Sequence, residues 1–135
     1  MLPHPSMPTI ERLCADGVSA PVYAHEMAKV APGSAADVLH DAVGEAPGAP
    51  DGWRLIGAFR TVMTSDDEVL LLWAIDSWAH WGAAEQREAS GDRLLVPKVS
   101  ARLQQRHRIL LVDAPLAPLR IGRQPSKDDR TDWTD

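Results

Sequence analysis

Cysteine, tyrosine and phenylalanine each occur once in these 135 residues, and Lys and Arg never form a run. With Cys14 alone, no internal disulfide can form and no thiolate cage for a metal can be built, so the residue reads as a small apolar group rather than a nucleophile. The net charge is −5 and the basic residues are dispersed. Nothing here resembles the basic stripe with interleaved aromatics that a nucleic-acid groove needs, so nucleic acid is not expected as a partner. No apolar segment reaches the roughly 20 residues that span a bilayer. The opening "MLPHPSMPT" carries three prolines and a histidine where a signal peptide has basic residues followed by an apolar run. A soluble, cytoplasmic protein without membrane contact is expected. Also missing are a glycine-rich phosphate loop, a GxS nucleophile elbow, and any HExxH-like spacing among His25, His40, His80 and His107. Gly33, Gly44, Gly48 and Gly52 read as turn residues. No metal and no cofactor is called for.

What is present is a 44% hydrophobic chain, enough for one small domain with a modest stability margin. Both ends look like appendages to a middle spanning 21–120. Residues 1–20 offer a short helix with Thr9 as N-cap and Gly17 as stop. Residues 121–135 are polar and charged, a composition expected to stay mobile unless Trp133 docks on a neighbour. In the middle, Val22 to Val30 suits a strand. Ser34 can cap a helix on which Ala35, Val38, Leu39, Ala42 and Val43 recur at helical spacing. "TSDDE" is a turn between two apolar arms, Trp53 to Met63 and Glu68 to Ile75. Asp76 or Ser77 caps a helix beginning "WAHWGAAEQREA", a second short helix starts around Pro97, and "HRILLVDA" is the last strand. The order is that of the ferredoxin-like βαββαβ fold, an α+β architecture with an antiparallel sheet and both helices on one face. Glu68 to Ile75 is apolar in both phases, so the other face also needs covering. A second copy related by a two-fold axis supplies the cover, giving a homodimeric α+β barrel paired through the open sheet face.

Several stretches carry a family likeness. "VYAHEMAKVAPGSAADV", "LIGAFRTVMTSDDEVLLLWAIDSWAHW" and "RHRILLVDAPLAPL" together resemble the NIPSNAP-like branch of the dimeric α+β barrel superfamily. The shared pattern is a first strand ending in Pro-Gly, then a Gly-aromatic-Arg-Thr strand, a turn, and Glu with apolar residues, Trp and Asp-Ser ahead of a helix. The resemblance implies fold and dimer more than reaction. Haem occurs in related barrels through one axial histidine, for which His25, His80 and His107 would be the candidates.

Four of the five tryptophans lie between Trp53 and Gly82. Val69, Leu71, Trp73 and Ile75 form the bulky phase of the second arm. The smaller phase leaves room for helices, which assigns Trp73 to the barrel lumen and Trp78 and Trp81 to the helix underside. Leu71, Phe59 and Tyr23 join Trp73 as candidates for lining a small apolar ligand. Glu26 lies mid-strand between Ala24 and Ala28, where a carboxylate is costly to bury unless paired or protonated. Arg60 is its expected counter-charge, or else an anchor for an anionic oxygen. His25, next to Glu26, points to the opposite face and is either a satisfied histidine or a catalytic base. Two functions follow. One is a cofactor-independent enzyme performing proton transfer on an apolar, oxygenated substrate (lyase, isomerase, cyclase or monooxygenase) through Glu26, His25 and Arg60. The other is a non-catalytic module that binds a hydrophobic ligand or serves as a dimeric scaffold.

Overall fold

The computed structural model describes residues 1–63, 65–91, 99 and 101–129. In chain order the elements are β1 (Leu2–Pro3), α1 (Ile10–Ala15), β2 (Val22–Lys29), α2 (Ala35–Glu45), β3 (Trp53–Arg60), β4 (Glu68–Ile75), α3 (Trp78–Ala89), β5 (Gln104–Leu111) and α4 (Pro118–Ile121). The strands lie side by side as β1-β3-β4-β2-β5, and every neighbouring pair is antiparallel. Apart from the two-residue β1, this is the ferredoxin-like order, with β4 between β2 and β3. The short helix expected around Pro97, and Trp133, lie outside the described residues.

Local chemistry sets the element ends. Thr9 Oγ1 accepts the Arg12 N–H at 3.2 Å to open α1, and Gly17 at φ 68° follows its end. Ser77 Oγ likewise accepts the His80 N–H at 3.2 Å to open α3. Ser34 does not cap α2, because its hydroxyl donates to the Ala31 carbonyl at 2.6 Å instead. The first hairpin arm stops at Arg60 rather than Met63, since Met63 turns to φ 76°, outside the extended region.

Cross-strand partners share a face of the sheet. Val22, Ala24, Glu26 and Ala28 of β2 stand with Val69, Leu71, Trp73 and Ile75 of β4. This face packs on α2 and α3 through Ala35, Val38, Leu39, Ala42 and Ala84. Trp73 and Leu71 therefore point at the helices, not into a lumen, and the strand phases are the reverse of those expected. The reason lies in the helices. They present three small residues, Ala35, Ala42 and Ala84, to the sheet beside Val38 and Leu39, so the strands supply much of the bulk that fills the layer to interior density. Trp53, Trp73 and Trp81 form a connected aromatic set, with Trp53 stacked on Trp81 (centroids 5.8 Å apart) and edge-on to Trp73 (6.2 Å). Trp78, expected on the helix underside, begins α3 and is 54% exposed.

The opposite face carries Tyr23, His25 and Met27 of β2, Leu70, Leu72 and Ala74 of β4, and His107, Ile109 and Leu111 of β5. A bulge at Ile56 shifts the register of β3, so that Gly57 and Phe59 fall on this face opposite Leu72 and Leu70. Gly57 has a steric reason: a Cβ there would lie 2.7 Å from the Phe59 ring, which folds back over it. One end of the face is covered by α1 and α4, where Ile10, Leu13 and Leu119 pack with Tyr23, Ile56 and Ala74. Cys14 Sγ ties those two helices by donating to the Pro118 carbonyl at 3.3 Å.

Candidate functional site

Glu26 is only 2% exposed, deep in the layer between sheet and helices. Its Oε1 accepts from Arg106 (Nε at 3.1 Å) and its Oε2 from Arg108 (Nε at 3.2 Å, Nη2 at 3.0 Å). Arg108 is its register partner on β5. The same guanidinium donates to Glu85 at 3.0 Å and to both oxygens of Glu88 at 3.0 and 3.2 Å. It also stands over the Trp53 and Trp81 rings, 5.9 and 5.7 Å from their centroids. Burial by itself would favour neutral Arg108, but hydrogen bonds and charge from Glu88 and Glu26 raise its pKa further still. Burial would likewise raise Glu88, yet Arg108 and Arg106 hold it below the usual carboxylate range. The group is a closed ion network joining β2, β5 and α3.

The expected Glu26–Arg60 pair is absent. β4 separates the two strands, and Arg60, at the end of β3 opposite Val69, instead donates to Asp66 at 3.1 Å. The Arg108 side chain is only 13% exposed. The missed signal was the i, i+2 spacing of Arg106 and Arg108, which puts two cations on one strand face. Both carboxylate oxygens of Glu26 are thus engaged by guanidinium groups, on the face of the sheet that packs on the helices.

The open face has a different character. His25 stands between Leu72 and Ile109, and its Nδ1 is buried without a hydrogen-bond partner. Met27, Leu70 and Phe59 continue the surface in the next row. Toward the covered end, the Tyr23 hydroxyl donates to Asp113 Oδ2 at 2.9 Å and accepts the Ala20 N–H at 3.1 Å. Burial, together with the Asp113 hydrogen bond and charge, pushes the phenol up to about 12, so Tyr23 stays a donor. Beside it lies a cavity of about 190 Å³ lined by Tyr23, Ile56, Leu72, Leu111, Leu119 and Asp113. The candidates Tyr23, His25 and Phe59 thus share this face, while Glu26, Leu71 and Trp73 lie on the other. Among the described residues no group of three His, Cys, Asp or Glu side chains could hold a metal. No helix among them is long and apolar enough to cross a membrane.

No family model matches the sequence, and no curated protein matches it. Solved structures do. A NIPSNAP domain protein from Burkholderia xenovorans superposes over 72% of this chain and 98% of its own, with TM-score 0.55 and 21% identity. A NIPSNAP family protein from Agrobacterium tumefaciens does so over 73% and 97%, with TM-score 0.52 and 19% identity. A second NIPSNAP family protein from that organism, of unknown function, covers 74% of this chain and 94% of its own, with TM-score 0.51 and 17% identity. At these identities the likeness is one of fold. The chain has the α+β, ferredoxin-like fold of NIPSNAP proteins, as its sequence resemblance implied.

Proposed function

We propose that the protein is a NIPSNAP-type binding module. Two copies pair through their open sheet faces and enclose an apolar chamber for a small hydrophobic molecule. The observation that carries this is the bare part of that face. Ile109 and Leu111 are 41% and 39% exposed in the protomer, beside Leu72, Met27 and Phe59 on neighbouring strands. A continuous apolar surface of this kind on a soluble domain marks an interface, and a sheet that presents one flat face twice satisfies the self-complementarity of a two-fold dimer. The ion network on the other side favours binding over catalysis, because it absorbs the carboxylate that would have served as base. A proton-transfer enzyme is the second reading, favoured by one observation, the unpartnered Nδ1 of His25 on the chamber side.

Sedimentation at micromolar concentration tests the pairing. The account expects a species of twice the 14.7 kDa protomer mass and its dissociation in Ile109→Asp with the circular dichroism spectrum unchanged. A monomeric wild type would overturn it.

A further inference from the structure

The cavity beside Tyr23 has a size, a wall and one polar feature, and together they specify what fits. Its volume of about 190 Å³ exceeds the roughly 150 Å³ of an engineered apolar cavity that holds benzene, yet falls below the several hundred of a site for a drug-sized molecule. One substituted ring fills it. The walls are hydrocarbon, from Ile56, Leu72, Leu111, Ala117 and Leu119. Asp113 is the exception. Its Oδ2 accepts from Tyr23 at 2.9 Å, and its Oδ1 has no hydrogen-bond partner among the described residues. Asp113 also borders a second, wider cavity of about 490 Å³, which it and Val112 share with Ser19 and Arg120. The carboxylate therefore stands where an apolar slot meets a polar opening.

We infer that this slot binds a small phenol or cyclic alcohol, ring inward against Leu72 and Leu119, with its hydroxyl donating to Asp113 Oδ1. This rests on the reading of the protein as a binding module. The polar end discriminates by chemistry. Tyr23 already donates to the carboxylate and keeps its own proton, so the remaining valence of the pair is an acceptor. It rewards a donor, gives nothing to an ether, and repels an anion. Asp113 is a specificity-determining residue in this scheme, and Tyr23 positions it.

The test is a titration of the full-length wild-type protein with 4-ethylphenol, 4-ethylanisole and 4-ethylbenzoate, followed through the methyl resonances of Ile56, Leu72 and Leu119. The expected result is saturable shifts at those methyls with the phenol, affinity for the methyl ether weaker by about tenfold, the loss typical of one hydrogen bond to a charged acceptor, and no binding of the carboxylate. Asp113→Ala should bind phenol and ether equally, and Ala117→Phe should bind neither. Equal affinity for phenol and ether in the wild type, or shifts that map elsewhere, overturns the proposal without recourse to any variant. Sedimentation of the same samples separates the two claims. Binding by a wild type that proves monomeric supports the slot and sinks the dimer. A dimer that binds nothing, alongside an Ile109→Asp monomer that binds the phenol, means a second copy fills the slot and overturns the ligand assignment alone.

Discussion

Replacing Glu26 by glutamine removes one charge from the centre of the buried ion network while nearly keeping the side-chain shape. Glutamine still accepts from one guanidinium, but its amide turns donors toward the other, so one cation of the network loses Glu26 and keeps only its Glu88 or Glu85 contacts. Removing one member of a buried pair costs about 3–5 kcal/mol. Here the lower end applies. Arg108 retains Glu85 and Glu88, and the Arg106 side chain, 31% exposed, can turn toward water. For a domain of this size, about 3 kcal/mol corresponds to a fall of about 10 °C in the unfolding midpoint. Thermal denaturation followed by circular dichroism measures it. Glu26→Leu combined with Arg108→Met should recover most of the loss, because an apolar replacement of both partners removes the desolvation cost along with the attraction. A drop smaller than about 3 °C for Glu26→Gln would refute the argument that the carboxylate is structurally engaged. Ligand affinity at the open face should not change in either variant.

Three further outcomes follow from the same geometry. Tyr23 is the sole tyrosine, so the near-ultraviolet phenolate band should appear with a midpoint near 12 rather than 10.0. Its raised value means that the stability it contributes is complete below pH 10.0 and is lost as pH rises toward about 12, and a midpoint at the ordinary value would contradict the burial of the phenol together with its Asp113 hydrogen bond. Glu88 titrates below its ordinary 4.5, so its contribution is present above that pH and disappears as pH falls through the lowered value. Glu88→Gln should therefore flatten the acid limb of a pH–melting curve, and an unchanged limb would argue against the pairing with Arg108. Gly57→Ala should destabilise by about 1–3 kcal/mol through overpacking against the Phe59 ring, with much of the loss restored by Phe59→Leu. A neutral Gly57→Ala would show that the ring moves aside freely.

The strand and helix order was legible because apolar spacing and turn residues mark it directly. Val38, Leu39 and Ala42 recur at helical spacing, and the acidic turn splits two apolar arms. The face assignment was not legible, for a physical reason. Both phases of Glu68 to Ile75 are apolar, so periodicity cannot choose between them. The choice goes with the alanines on α2 and α3, whose small side chains leave room for the bulky Trp73 and Leu71 phase. Glu26 was recognisable as a buried carboxylate that needs a partner. Its partner was misassigned because Arg60 lies on the hairpin arm that follows in the chain, whereas strand order puts β4 between that arm and β2 and brings β5 with its two arginines alongside β2. Asp113 was invisible as a site residue. It becomes one only when the segment after β5 folds over Tyr23.

The central claim is that the open sheet faces of two copies meet. Intermolecular nuclear Overhauser effects in a dimer reconstituted from isotopically labelled and unlabelled protein test it directly. The account predicts cross-peaks between copies from the methyls of Met27, Leu72, Ile109 and Leu111. Intermolecular cross-peaks confined to α2, α3 or Trp78, or none at all, would contradict it.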